Sequence, residues 1–365
     1  MEEGQTMQRG RAGMWPRWLA VVATLLITGL VTAGCGSDDD DSGGGSSTKS
    51  KDEPISKLAI VAPEKGNDYG YNQQGVDAAK KIASDRGIDL EVADGSGYED
   101  IAPILRELAT SGGAEFVIAQ ASGYNTIAPD VAEQTGVPMI VWDNPEANKP
   151  GVTANVSTES QEGAYLAGVL AAKTSKSGNL GIVISADDTN WNKMSGGFVA
   201  GARSVDPKVK IQLAQIGQAG YADAAGGRRV TETLIANGAD VIFGMGDGSS
   251  FGMLEAVERA DGVQFIDVIG DKTPIDKKHV LLSSVYWDLT GIYNDAIDDI
   301  GNKSFGKKDY VIDLANNGVS LLKTDQIDAK TWKEIQATRK EIIDGKIDIP
   351  LTEKKAQVED LIAQG

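Results

Sequence analysis

Gly113-Ala114-Glu115-Phe116-Val117-Ile118 is answered, 125 residues later, by Gly238-Ala239-Asp240-Val241-Ile242-Phe243. Each is a small-residue turn, an acidic residue and an apolar run, the pattern that opens a buried strand. Leu58-Ala59-Ile60-Val61 matches Leu180-Gly181-Ile182-Val183 at an offset of 122, with Gly75 and Gly197 each 17 residues further on. Gly136-Val137-Pro138-Met139-Ile140 matches Gly262-Val263-Gln264-Phe265-Ile266 at an offset of 126. Any α/β protein reuses a Gly-Ala-acid turn before a strand, which accounts for one match. Three in order at nearly one offset point to two copies of one unit.

Around these pairs, apolar runs alternate with amphipathic stretches. Strands are expected at Leu58–Ala62, Leu90–Ala93, Phe116–Ala119 and Met139–Trp142, and again at Leu180–Ile184, Lys210–Ala214, Val241–Phe243 and Gln264–Ile269. Helices are expected between them, as at Tyr71–Arg86 and Ile101–Thr110. Such alternation gives a parallel sheet with right-handed crossovers. The fold class is therefore α/β, with two lobes, each a parallel sheet flanked by helices. Open parallel sheets bind ligands outside the carboxyl ends of their strands. Two facing lobes put two such rims across one cleft.

The chain ahead of the first strand has a different character. Arg9, Arg11 and Arg17 precede the uncharged run Leu19–Leu30, and Val31-Thr32-Ala33-Gly34 leads into Cys35, the single cysteine. Basic start, short apolar run and small residues are the layout of a secretory signal peptide. With the cysteine it resembles the bacterial lipoprotein signal, in which the thiol takes a diacylglycerol after cleavage. Thr32 stands where that signal usually has leucine. The alternative is an uncleaved anchor, for which the run is short. Residues 1–34 are read as the leader and 35–56, rich in Asp, Gly, Ser and Lys, as a flexible tether. Either way the remainder lies outside the cytoplasm.

The whole chain carries a net charge of −18. The leader, with three arginines and two glutamates, hides one further negative charge of the mature part. So acidic a surface argues against a nucleic-acid partner. One histidine, His279, makes His-based metal sites and Ser-His-Asp catalysis improbable, and no cofactor is expected.

The segments after the strands carry the candidate site. Asn67, Asp68, Tyr69, Tyr71 and Asn72 follow the first strand; Ser122 follows the third; Trp142 and Asp143 close the fourth. From the second copy come Trp191, Gly246, Asp247, Asp271 and, after Val280–Val285, Trp287. Tyr69 and Trp191 are 122 apart, equivalent under the repeat, and suit a flat ligand stacked between rims. The tryptophans can equally be packing residues at lobe edges, and Asp68 a helix cap. Carboxylates without histidine or metal-type spacing suit recognition of hydroxyl or N–H groups. Gly244–Ser250 lacks the lysine of a phosphate loop, and its glycines suit close approach to a ligand or the next helix.

Gly66-Asn67-Asp68-x-x-Tyr71-Asn72-Gln73 and Glu162-Gly163-Ala164-Tyr165-Leu166-Ala167-Gly168, behind a lipoprotein cysteine, resemble the basic membrane protein family over Leu58 to about Leu322. Its members are extracytoplasmic solute-binding lipoproteins of ATP-driven importers, several for purine nucleosides. The resemblance implies the type I periplasmic binding protein fold, with crossings between lobes near Val152–Ser157, Ser283–Trp287 and Gly301–Lys307. The lobes are then 57–154 plus 286–304 and 155–285 plus 305–365, with Trp332 anchoring the tail. It also implies a stacking role for Tyr71, an aromatic partner near Trp191 and a ribose-binding role for Asp271. Trp287 stands where the family often has a ligand-contacting lysine, and Ser122-Gly123-Tyr124 where it has an acidic residue. The implied solute is thus a nucleoside, a nucleobase or a sugar, gripped by lobe closure. The implied partners are a membrane permease and a lipid anchor, around a monomer. A sensor feeding a membrane signalling partner shares these features. A hydrolase using Asp68, Asp143 and Asp271 is the alternative from another class.

Overall fold

The computed structural model describes residues 53–218 and 220–365; Cys35, the leader and most of the tether fall outside them. The strands are β1 (Lys57–Ala62), β2 (Asp89–Asp94), β3 (Phe116–Ala119), β4 (Met139–Trp142), β5 (Thr153–Thr158), β6 (Asn179–Ile184), β7 (Lys210–Gln215), β8 (Val241–Met245), β9 (Gln264–Ile269), β10 (Leu281–Trp287), β11 (Tyr310–Ile312) and β12 (Val319–Leu321). The helices are α1 (Tyr71–Arg86), α2 (Ala102–Ala109), α3 (Ile127–Thr135), α4 (Ser160–Thr174), α5 (Thr189–Val205), α6 (Ala224–Ala236), α7 (Ser250–Glu258), α8 (Thr290–Gly301), α9 (Ala329–Ile343) and α10 (Lys355–Ala363). None of these helices is long and apolar enough to cross a membrane.

Two six-stranded sheets result. The first runs β11-β5-β4-β3-β1-β2 and the second β12-β10-β9-β8-β6-β7. Moving each of the first five strands five places along the chain turns one order into the other, so the sequence repeat is a repeat of topology. Pairing is parallel except for β10 with β12. Every residue of β3 and β4 is buried, without the alternation of a one-faced sheet. Helices covering both faces of a parallel sheet produce that pattern.

Glycine sets the closest packing in the second lobe, where α4 lies on α5. A Cβ at Gly201 would stand 2.0 Å from the Tyr165 carbonyl oxygen, and one at Gly168 2.1 Å from that of Phe198. The two helices therefore touch backbone to backbone. That contact accounts for the Gly-Ala-Tyr-Leu-Ala-Gly pattern that carried the family resemblance.

All three lobe crossings fall later than expected. Thr153–Thr158 is a strand of the first sheet, paired with β4 and β11. Leu281–Trp287 is a strand of the second. The chain therefore changes lobe after Thr158 and after Trp287, while the third change lies between β11 and β12, beyond Lys307. The reason is the pairing itself: hydrogen-bonded strands are rigid, and the unpaired residues beyond them make the passage. Helix α8 returns to the first lobe, where Arg86 of α1 binds Asn294 Oδ1 and Asp298 Oδ1, each at 2.7 Å. In the tail, Ile335 and Ile342 are the buried residues of α9, and Trp332 packs half-buried beside them.

Gly201→Ala forces α4 and α5 apart and is expected to cost about 1–3 kcal/mol, as overpacking does. Gly291→Ala in α8, where an added Cβ meets nothing, should be neutral or slightly stabilising. Thermal unfolding of the two variants checks the difference.

Candidate functional site: a ring-lined cavity between the lobes

A cavity of about 310 Å³ lies between the two rims. The first lobe lines it with Tyr71, Tyr98, Ala121, Ser122, Gly123, Trp142 and Asp143; the second with Asp188, Asn190, Trp191, Tyr221, Asp247, Ile269 and Trp287. All of them sit at or just beyond the carboxyl end of a strand, or where the next helix begins, as an open parallel sheet requires. The volume is at the lower end of small-molecule sites.

Aromatic rings make one wall. Trp142 and Trp287, from opposite lobes, lie nearly parallel at 8° with centroids 6.2 Å apart. Tyr71 stands edge-on to both, at 5.3 Å and 77° to Trp142 and at 6.4 Å and 85° to Trp287. Trp191 and Tyr221 make a second, tilted pair at 6.4 Å. The Trp191 Nε1–H is committed to Ser185 Oγ at 2.9 Å. By contrast the Tyr71 hydroxyl, Trp287 Nε1 and Asn190 Oδ1 are buried atoms without a hydrogen-bond partner. Orphaned polar groups cost about 1–3 kcal/mol each, and these three belong to residues of the cavity wall.

Polar contacts join the rims. Asp143 Oδ2 accepts from Ser122 Oγ at 2.5 Å and, across the cleft, from Asn190 Nδ2 at 3.2 Å. Asp247 Oδ1 of the second lobe accepts from the Tyr71 backbone N–H at 3.1 Å. Lys272 Nζ, wholly buried and ion-paired with Asp267, donates to the Tyr69 carbonyl at 2.9 Å. Burial pushes the Asp143 carboxyl up. Burial, with repulsion from Asp68, pushes Asp247 up to about 8, against the pull of the Tyr71 N–H and Lys272. Asp188 caps α5, accepting from Asn190 N at 2.8 Å, and takes the Tyr221 hydroxyl at 3.1 Å on its other oxygen. No group of three or more His, Cys, Asp or Glu among the described residues is placed to hold a metal ion.

Of the residues expected at the site, Tyr71, Ser122, Trp142, Asp143, Trp191, Asp247 and Trp287 line the cavity. The other six do not. Asn67 is exposed. Asp68 serves the start of α1, accepting from the backbone N–H groups of Gly70, Asn72 and Gln73 and from Asn72 Nδ2. Asn72 is thereby spent as well. Tyr69, in a left-handed conformation at φ 50°, turns its ring edge-on to Phe251 instead of into the cleft. Gly246 gives the close approach of Ser249, so its partner is the next helix. Asp271 turns back on the N–H of Thr273 at 2.8 Å.

Tyr98, Tyr221, Asp188, Asn190 and Ile269 were not anticipated. A signal for the two tyrosines existed: Gly97-Tyr98-Glu99-Asp100 and Gly220-Tyr221-Ala222-Asp223 repeat at an offset of 123, after β2 and after β7. Asp188 ends the loop equivalent to the first one, and Asn190 lies in the first turn of α5. Ile269 enters through a left-handed φ of 68°, rare for a β-branched residue, which no sequence pattern announces.

Residues 55–353 match the Bmp family, described as ABC transporter substrate-binding protein, PnrA-like. The chain belongs to this family. It is 28% identical over 206 residues to the ABC transporter nucleoside-binding protein BmpA of Lactococcus lactis, a match covering 52% of this chain and 58% of that protein. It is 23% identical over 308 residues to basic membrane protein A of Borreliella afzelii, covering 81% of this chain and 92% of that one. A solved solute-binding protein of an ABC transporter system from Conexibacter woesei superposes with a TM-score of 0.69 at 21% identity, over 81% of this chain and 98% of that structure. At that identity the likeness shows the fold, the two-lobe periplasmic binding protein arrangement. The family is one of substrate-binding proteins, not enzymes, which answers the hydrolase alternative.

Two expectations follow from the buried charges. An unfolded aspartate ionises near pH 4, whereas Asp247 holds its proton to about pH 8 in the fold. The native state thus binds more protons across that window, and stability should fall as pH rises through it. Asp68, Lys272 and Glu64 act on Asp247 in the fold, and all three remain in Asp247→Asn, so the variant removes only this titration. Melting temperatures from about pH 5 to about pH 9 should therefore fall more steeply in the native protein than in Asp247→Asn. Separately, Lys272→Met leaves Asp267 buried without its cation and should cost about 3–5 kcal/mol in denaturant unfolding. Adding Asp267→Asn should recover most of it.

Proposed function

We propose that this chain is the extracytoplasmic solute-binding component of an ABC importer, and that it takes a flat ring-bearing solute of the nucleoside or nucleobase class. The observation that carries this reading is the wall formed by Tyr71, Trp142 and Trp287, drawn from both lobes, beside buried polar atoms that have no protein partner. A planar solute meets ring edges and faces there and gives the orphaned groups their hydrogen bonds. Family membership supports the transport role, and a relative named for nucleoside binding supports the solute class.

In this reading the solute binds the open rims, the lobes rotate about the three crossings, and Tyr71 and Trp287 close on it. Closure is favoured by contacts that exist only in that state. The closed monomer then docks on a membrane permease. Cys35 carries the lipid anchor, and residues up to about 56 tether the lobes to the membrane. The lobes are residues 57–158 with α8 and β11, and residues 160–287 with β12 and the tail.

Three tryptophans line the cavity, so binding is readable by intrinsic fluorescence and by calorimetry. Purine nucleosides and nucleobases are expected to bind, and Trp287→Ala to weaken them about tenfold. Binding by pentoses or hexoses alone would retain the clamp and overturn the ring-solute class. Unchanged affinity in Trp287→Ala would move the site elsewhere.

A further inference from the structure

We propose that the solute is a cation: a flat nitrogen heterocycle carrying a positive charge, held between aromatic faces and two carboxylates from opposite lobes. This rests on the ring-solute reading above and adds its charge. Six rings line the cavity together with Asp143, Asp188 and Asp247, and no lysine, arginine or histidine lines it. Rings present a negative face to a cation, and Trp is the strongest of them.

The carboxylates are not all equivalent. Asp188 is satisfied by the start of α5 and by the Tyr221 hydroxyl. Asp143 and Asp247 each use one oxygen in the protein contacts described above. Among the described residues, neither Asp143 Oδ1 nor Asp247 Oδ2 takes a hydrogen bond. Surrounding charge does not neutralise them. Glu64 and Asp68 add negative charge behind Asp247. Lys272 acts on Asp247 but is already paired with Asp267 and the Tyr69 carbonyl. Lys193 acts on Asp143 while its ammonium lies 3.5 Å from the Thr158 carbonyl.

Closing the lobes therefore brings two carboxylates, Asp143 and Asp247, to the wall of one cavity. Asp188 sets like charge against Asp143, and Asp68 and Glu64 set it against Asp247, while burial drives both groups toward protonation. A cation between them removes that penalty, so the charge of the solute becomes the condition for closing. With a neutral solute the lobes close only as these carboxyls take up protons, which costs free energy at neutral pH because an exposed aspartate ionises near pH 4. An anionic solute adds to the repulsion.

Matched pairs test this in the native protein: adenosine against 1-methyladenosine, and nicotinamide against 1-methylnicotinamide. Each pair differs by one methyl and one positive charge at neutral pH. Calorimetry should show the charged member binding about tenfold tighter or more. Its affinity should fall with added salt, whereas that of the neutral member should not. Asp143→Asn or Asp247→Asn should shrink the gap within a pair. The salt dependence gives the same answer without a variant. Equal or tighter binding of the neutral members overturns the charge inference and leaves the ring-solute class standing. Tetramethylammonium or spermidine binding ahead of every ring compound leaves the charge standing and overturns the ring. No binding by any of these compounds overturns both.

Discussion

Lys272 lies buried in the second lobe, paired with Asp267, and its ammonium reaches the carbonyl of Tyr69 in the first. Much else depends on that contact. A charge removed from water is costly unless its geometry is good and its remaining protons are bound. Here the second partner is supplied by the opposite lobe. The contact fixes the loop ahead of α1 in the left-handed turn at Tyr69. A side chain at Gly270 would collide with that carbonyl, 2.0 Å from its Cβ. Two residues on, the Tyr71 N–H meets Asp247, and the Tyr71 ring enters the cavity. One loop of the first lobe is thus gripped by two side chains of the second, which joins lobe closure to the assembly of the aromatic wall.

The duplicated sheet explains why the wall exists at all. Each copy brings its strand ends to the same cleft, so aromatic residues after equivalent strands face one another without further design. Tyr98 after β2 and Tyr221 after β7 are repeat equivalents that line the same cavity. Trp142 ends β4, and Trp287 ends β10, the strand next to the repeat equivalent of β4, yet their planes come within 8° of parallel. Acidic groups also stand at strand ends, Asp143 after β4 and Asp247 after β8, which are not equivalent strands. The resulting cavity is aromatic and carboxylate-lined, a combination suited to grip and orientation. No lysine, arginine or histidine lines the cavity, which leaves its negative charge without a cation of its own.

The fold was legible because it is periodic and repeated. Strands Phe116–Ala119, Met139–Trp142 and Gln264–Ile269 and helix Tyr71–Arg86 have the bounds read from the sequence. Residues fixed by strand ends, such as Trp142 and Asp143, were legible for the same reason. The residues misjudged are those whose direction is set by backbone conformation or by a local hydrogen bond. Tyr69 and Tyr71 are indistinguishable by position, yet a positive φ sends the first to Phe251 and leaves the second facing the cleft. Asp68 and Asp271 were read as ligand groups, but Asp68 spends its carboxylate on backbone N–H groups and Asp271 turns one oxygen back on the N–H of Thr273. The lobe crossings shifted because β5 and β10 continue through the positions where the chain was expected to pass over. Lys272 carries no sequence signal, since its role exists only when the second lobe meets the first.

The central claim is that a solute sits among Tyr71, Trp142 and Trp287 between closed lobes. The most direct measurement is a crystal structure of the protein purified from cells with whatever solute it retains, paired with native mass spectrometry of the same sample. The account predicts added mass and density for one planar molecule against those three rings, within reach of Asp143 and Asp247. A retained solute bound outside that cavity, with the lobes closed over water, would contradict it.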